Sequence, residues 1–213
     1  MSKDIDVWRF HGGRVYDYEE LKLPSVVKLV ESLDYNSMHP LAVDIGGGNC
    51  SLVHSARLPR PQYFRTATID IAASFHGYEH INPIVKSDVE EIITEVDFGA
   101  VTALDEFLLS NVAECETPGA DLLVYSEILN YVDFREVMSW FDSRLKPGGY
   151  TVIANLPTRG WSQLFSDHGV KSHDELLTYV QDDLGHMIIR QEYPWGATDD
   201  YEGFMVLATQ KPM

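Results

Sequence analysis

Leu41-Ala42-Val43-Asp44-Ile45-Gly46-Gly47-Gly48-Asn49-Cys50-Ser51 is the stretch that decides how this chain is read. A short apolar run carries an acid near its end, three glycines follow, and a helix-permissive segment starts at Ser51. That order is strand, tight turn, helix, the opening unit of a nucleotide-binding α/β sheet. A strand buried on both faces must be nearly all apolar, and Leu41 to Ile45 meet that demand apart from Asp44. Glycines let the main chain turn sharply and let a ligand lie against bare backbone. Ligands of such sheets sit outside the carboxyl ends of the strands, so Asp44 and the glycines are expected to face the site.

The length of 213 residues suits one large α/β domain. No apolar run approaches the roughly 20 residues that a membrane span needs, and Met1 to Asp4 open no secretory signal. Cys50 and Cys115 make neither a disulfide framework nor a paired-cysteine metal signature. The expectation is a soluble, cytoplasmic protein, monomer or homodimer. Its formal net charge is −17, from 33 acids against 16 Lys and Arg. Such a surface repels phosphate backbones and disfavours a nucleic-acid substrate. The nearest approach to a basic patch is Arg57, Arg60 and Arg65 in a proline-containing loop. The acids serve solubility, or they attract a cationic ligand.

Outward from the glycine turn, the chain alternates strand and helix. Upstream, Pro24 opens a helix with Leu23, Val26, Val27, Val30 and Leu33 at helical spacing. Residues 1–20 are aromatic and irregular, and suit either a lid over a small-molecule pocket or an arm packed on the core or a second subunit. The expected division is therefore 1–40, an aromatic arm and helix, and 41–213, the main domain. Downstream, Ser51 to Leu58 is the expected crossover helix, Thr66 to Asp70 the second strand and Ile81 to Lys86 the third. Ala100 to Val112 is an amphipathic helix, and Asp121 to Ser126 is the fourth strand. Asp133 and Glu136 then stand at capping-box spacing, ahead of a stripe of Phe134, Val137, Met138, Phe141 and Leu145. Lys146-Pro147-Gly148-Gly149 is read as the end of that helix, and Tyr150 to Ala154 as the fifth strand. A short helix at Trp161 to Phe165 follows, then a longer one at Ser172 to Leu184, with Ser172 and Glu175 at capping-box spacing. Met187 to Tyr193 and Phe204 to Gln210 close the chain as an antiparallel hairpin.

With these motifs in order, the chain resembles the class I S-adenosylmethionine-dependent methyltransferases over about residues 41 to 210. The family's acid-x-Gly-x-Gly turn is matched by Asp44, Gly46 and Gly48, the acid ending its second strand by Asp70, and the acid after its third by Asp88. Ser126-Glu127-Ile128-Leu129-Asn130-Tyr131-Val132-Asp133 and Leu145-Lys146-Pro147-Gly148-Gly149 resemble the stretch between its fourth and fifth strands in small-molecule members. The resemblance implies a three-layer α/β sandwich with a seven-stranded, mostly parallel sheet and a C-terminal antiparallel hairpin. It implies S-adenosylmethionine as cofactor, S-adenosylhomocysteine as product, and a small-molecule acceptor.

Elementary chemistry suits those roles. A carboxylate at a strand end can accept from both ribose hydroxyls, which is the expected part of Asp70, with Ile71 beside it. Asp88 suits the exocyclic amine of adenine, and the Val89 amide suits a ring nitrogen. Gly46, Gly47 and Gly48 would pass beside the methionine part, Asp44 would hold the turn, and Ser126 completes the expected cofactor contacts. Trp8, Tyr16, Tyr131, Arg159 and Trp161 are the expected walls of the acceptor side. His11, His76 and Glu127 are the candidate catalytic groups. No histidine pair has metal-ligand spacing, so no metal is expected.

Three departures from the family pattern stand out. Cys50 replaces a frequent third glycine, and Asn130-Tyr131 stands where many relatives carry His-His. Asn155-Leu156-Pro157 follows the fifth strand, whereas the family's amine-methylating Asn-Pro-Pro-Tyr motif follows the fourth, so that likeness is rejected. Two rival readings remain: a binding or partner protein that keeps the cofactor site without methyl transfer, and a nicotinamide-dependent oxidoreductase. The terminal hairpin and the serine at position 51 speak against the second.

Overall fold

A computed structural model describes residues 23–38, 40–45, 65–69, 119–157, 166–195 and 203–213. Its centre is a mixed six-stranded sheet with the order β2-β1-β3-β4-β6-β5. The strands are β1 (Leu41–Ile45), β2 (Arg65–Ile69), β3 (Ala120–Ser126), β4 (Leu145–Asn155), β5 (Met187–Trp195) and β6 (Phe204–Gln210). β1 pairs in parallel with β2 and β3, and β3 in parallel with β4, while β6 runs antiparallel between β4 and β5.

β1 is buried at every position, which its apolar composition requires of a strand with neighbours on both edges and helices on both faces. Helix α1 (Leu23–Glu31) covers one face. Its Val26, Leu29 and Val30 pack with Ala42, Leu122, Val124, Val152 and Val206. The other face meets α2 (Phe134–Asp142) and α3 (His173–Thr178). Phe134, Val137, Met138, Phe141 and Leu176 pack there against Val43, Ile45, Leu123, Tyr125, Ile153 and Leu207. Strand alternation divides the two sets, since Leu122 and Val124 face one way and Leu123 and Tyr125 the other. Burying each such large side chain contributes about 1.5–3 kcal/mol. Helix α1 shares this core with the sheet.

Both expected caps form. The Asp133 carboxylate accepts from the Glu136 amide at 3.2 Å, and the Ser172 hydroxyl accepts from the Glu175 amide at 3.1 Å. The ends of the helices differ from the sequence reading. α2 stops at Asp142, with Ser143 as its C-cap, and Leu145 enters the core from the first position of β4. Lys146 to Gly149 form an irregular excursion within β4, where Ala120 pairs with Leu145 but Leu122 already pairs with Tyr150. Gly148, at φ 75°, makes that excursion's left-handed step. A Leu at helical spacing is equally at home on a strand that feeds the same core.

α3 likewise ends at Thr178 and passes into a π-helical turn, Tyr179–Asp183. β5 extends past the expected Tyr193 through Pro194 to Trp195; as the edge strand it tolerates a proline. β2 spans Arg65–Ile69, one residue earlier than expected. The expected third strand at 81–86 and the helices at 51–58, 100–112 and 161–165 lie outside the described residues.

Candidate functional site at the carboxyl edge of the sheet

The pairing registers bring four strand ends together. Ile45 stands opposite Ile69 on one side and Tyr125 on the other, and Ser126 stands opposite Ala154. Adjacent strands lie about 4.8 Å apart. Asp44, Ile69, Ser126 and Asn155 therefore share one edge, where ligands of open α/β sheets bind. Asp44 is 2% exposed, an acid placed in an otherwise apolar strand. Ser126 is also buried.

Beyond Ser126 the chain makes a tight, well-anchored turn. Glu127 has φ 54°, the one non-glycine residue at positive φ among the described residues. Side-chain crowding makes that conformation cost about 1–2 kcal/mol, and it is held by the Glu127 amide donating to the Ala154 carbonyl at 2.8 Å. Strain of this kind collects at binding and catalytic sites. Half-buried Tyr131 follows. Burial first, and then the negative charge of Glu127, push its hydroxyl pKa up from the ordinary value, so the phenol stays protonated at neutral pH.

The turn is fastened from two sides. Asn130 Nδ2 donates to the Leu156 carbonyl at 2.8 Å, and Asn155 Nδ2 donates to Asn130 Oδ1 at 3.2 Å. From the segment before α3, the Ser166 amide donates to the Asn130 carbonyl and the Val170 amide to the Leu129 carbonyl, each at 3.0 Å. Gly169 allows this approach, since a Cβ there would lie 2.3 Å from the Asn130 carbonyl oxygen. Ile128, Leu129 and Val132 root the turn in the core.

Of the residues singled out from sequence, the structure brings Asp44, Ser126, Glu127 and Tyr131 to this edge. Trp8, His11, Tyr16, Gly46, Gly47, Gly48, Asp70, Ile71, His76, Asp88, Val89, Arg159 and Trp161 lie outside the described residues. The Asn130–Asn155 pair was missed. Its signal was present, an asparagine in the segment that follows each of two expected strands, but each was weighed only against family motifs. Two described histidines have structural partners: His173 Nε2 lies 3.0 Å from the Gly203 carbonyl, and His186 Nε2 lies 2.8 Å from Asp142 Oδ1. Among the described residues, no group of three or more His, Cys, Asp or Glu is placed to hold a metal ion. Nor is any described helix long and apolar enough to cross a membrane.

No family model and no curated protein sequence matches the chain. Solved structures do. A chain from the complex between the Haloferax volcanii Trm112 methyltransferase activator and the putative methyltransferase aligns with TM-score 0.58 and 15% identity, covering 100% of both chains. The Burkholderia thailandensis 1,6-didemethyltoxoflavin-N1-methyltransferase, with bound 1,6-didemethyltoxoflavin and S-adenosylhomocysteine, gives TM-score 0.58 at 13% identity, over 98% of this chain and 86% of that one. The N-methyltransferase NodS from Bradyrhizobium japonicum WM9 gives TM-score 0.52 at 14% identity, over 93% of this chain and 99% of that one. At such identities the likeness speaks for architecture. The chain has the fold of the class I S-adenosylmethionine-dependent methyltransferases.

Proposed function

We propose that the protein is a methyltransferase that moves the methyl group of S-adenosylmethionine to a small molecule, with S-adenosylhomocysteine as product. The observation that carries this reading is the convergence of a buried Asp44, a buried Ser126 and the end of β2 at Ile69 on one sheet edge. A buried acid beside a glycine turn suits a ligand with an amino group and an adenosine. Support also comes from NodS and the 1,6-didemethyltoxoflavin-N1-methyltransferase, both of which bind S-adenosylhomocysteine on this fold. In this reading Asp70 takes the ribose hydroxyls, with Ile71 beside it, and Asp88 and the Val89 amide take the adenine. Gly46, Gly47 and Gly48 line the methionine part, and Ser126 closes the floor.

The bound cofactor supplies an electrophilic methyl on a good leaving group. The chain's own task is alignment and exclusion of water. Glu127 and Tyr131 stand at the edge as orienting groups, with Glu127, His11 or His76 as base where the substrate must lose a proton. Trp8, Tyr16, Arg159 and Trp161 complete the acceptor wall, and the arm within residues 1–40 is its cover. The full sheet in this reading has seven strands, mostly parallel, with residues 81–86 as the seventh, and the protein works in the cytoplasm as a monomer or homodimer. Calorimetric titration of the pure protein with S-adenosylmethionine, S-adenosylhomocysteine and NADH tests it. The expected result is binding of the first two; binding of NADH alone, or of none, overturns it.

A further inference from the structure

Asn155 is the last residue of β4 and is 0% exposed. An amide's oxygen and nitrogen are alike in shape, so the surrounding network must decide which is which. Here it does. The Leu156 carbonyl can only accept, so Asn130 turns its Nδ2 to it, and Asn130 Oδ1 is left facing Asn155. Asn155 must then present its Nδ2 to that oxygen. Its own Oδ1 is the remaining atom, buried and without a hydrogen-bond partner.

A buried oxygen of this kind is costly to leave without a donor. Asn155 sits on the edge that carries Asp44 and Ser126, and its Nδ2 is bonded to the turn that carries Glu127 and Tyr131. Asn130 also keeps the amide from rotating, so the oxygen is preorganised as a hydrogen-bond acceptor. We propose that Asn155 Oδ1 accepts an N–H or O–H of the methyl-accepting substrate, and so selects substrates that carry such a donor. The inference rests on the methyltransferase reading and deepens it. A site built around a hydrogen bond rejects analogues that lack the donor, because its own polar group is then stranded.

The test is calorimetric, on full-length protein loaded with S-adenosylhomocysteine. Two pairs of probes differ in their donors: phenol against anisole, and benzylamine against benzyltrimethylammonium. In at least one pair the donor-bearing member should bind tighter by about tenfold or more. Asn155→Leu should erase the preference and leave the affinity for S-adenosylhomocysteine unchanged. Should that variant fail to fold, Asn130→Leu combined with Asn155→Leu removes both ends of the pair and should erase it equally. Equal binding within both pairs, a preference that survives in either folded variant, or an ordered water as the sole partner of Oδ1 in a ligand-bound crystal structure overturns the inference. If the unaltered protein does not bind S-adenosylhomocysteine, the methyltransferase reading falls and this inference with it. If it binds and shows no donor preference, this inference falls alone.

Discussion

The two ends of the sheet are built to different standards. At the amino ends of β1, β3 and β4, polar groups are stitched together. Asp121 Oδ2 accepts from the Leu41 amide at 2.9 Å and from Lys146 Nζ at 2.8 Å. Near the same end, His186 lies between Thr209 Oγ1 at 3.0 Å and Asp142 Oδ1 at 2.8 Å, and Lys211 Nζ donates to Asp142 Oδ2 at 3.1 Å. That cluster ties the end of α2 to β6 and to the residue just before β5. The carboxyl edge instead holds a left-handed Glu127 and an Asn155 oxygen without a donor. One end is spent on stability; the other keeps strain and unused bonding capacity, as ligand sites do.

Variants at the two ends should therefore separate stability from binding. Asp142→Asn should have the largest effect on stability, about 1.5–3 kcal/mol for loss of hydrogen bonds to a charged group. Urea unfolding should show it, with cofactor affinity unchanged. Burial pushes the Asp142 carboxyl pKa up, but the hydrogen bonds and charges of His186 and Lys211 outweigh that and hold it below its usual 3.8. A folded pKa below the unfolded one gives stability that is present above the unfolded value and lost as pH falls through the folded one. The acid limb of the stability curve should flatten in Asp142→Asn; an unchanged limb would remove the carboxylate from that role.

At the other end, Gly169→Ala should cost about 1–3 kcal/mol, the range for forcing an atom into a packed site. The added Cβ meets backbone, not a movable side chain. Thermal melts check this, and a neutral variant would show that the segment 166–170 yields freely. The smallest effect has the opposite sign. The Tyr125 hydroxyl is buried without a hydrogen-bond partner. Burial, with the charge of Asp142 and then Tyr179, pushes its pKa well above the ordinary value. Tyr125→Phe should be neutral or stabilising, by up to about 1 kcal/mol. A marked loss in urea unfolding would mean that the hydroxyl has a partner in solution.

The sequence made the amino-end scaffold partly legible and the carboxyl edge less so. β1, β6 and both N-caps declared themselves because their signals are local: an apolar run, or an oxygen three residues ahead of an amide. The end of α2 did not, because Leu145 continues the helical spacing while serving a strand. The His186 cluster gathers residues from α2, β6 and the chain beyond it, and no local pattern announces such a meeting. The Asn130–Asn155 pair is hidden in the same way, since it forms only when β3 and β4 lie side by side. Asp44 and Ser126 were legible as strand-end residues because the runs that carry them are local patterns.

The central claim, that the carboxyl edge holds S-adenosylmethionine while the amino end holds the fold, is tested most directly by one calorimetric comparison. S-adenosylhomocysteine is titrated into the unaltered protein, Asp70→Ala and Asp142→Asn. One site is expected in the unaltered protein, with an equal affinity in Asp142→Asn. Asp70→Ala should bind more weakly by about 1.5–3 kcal/mol, the scale of a lost hydrogen bond to a charged group. No binding to the unaltered protein, or full affinity in a folded Asp70→Ala, would contradict it.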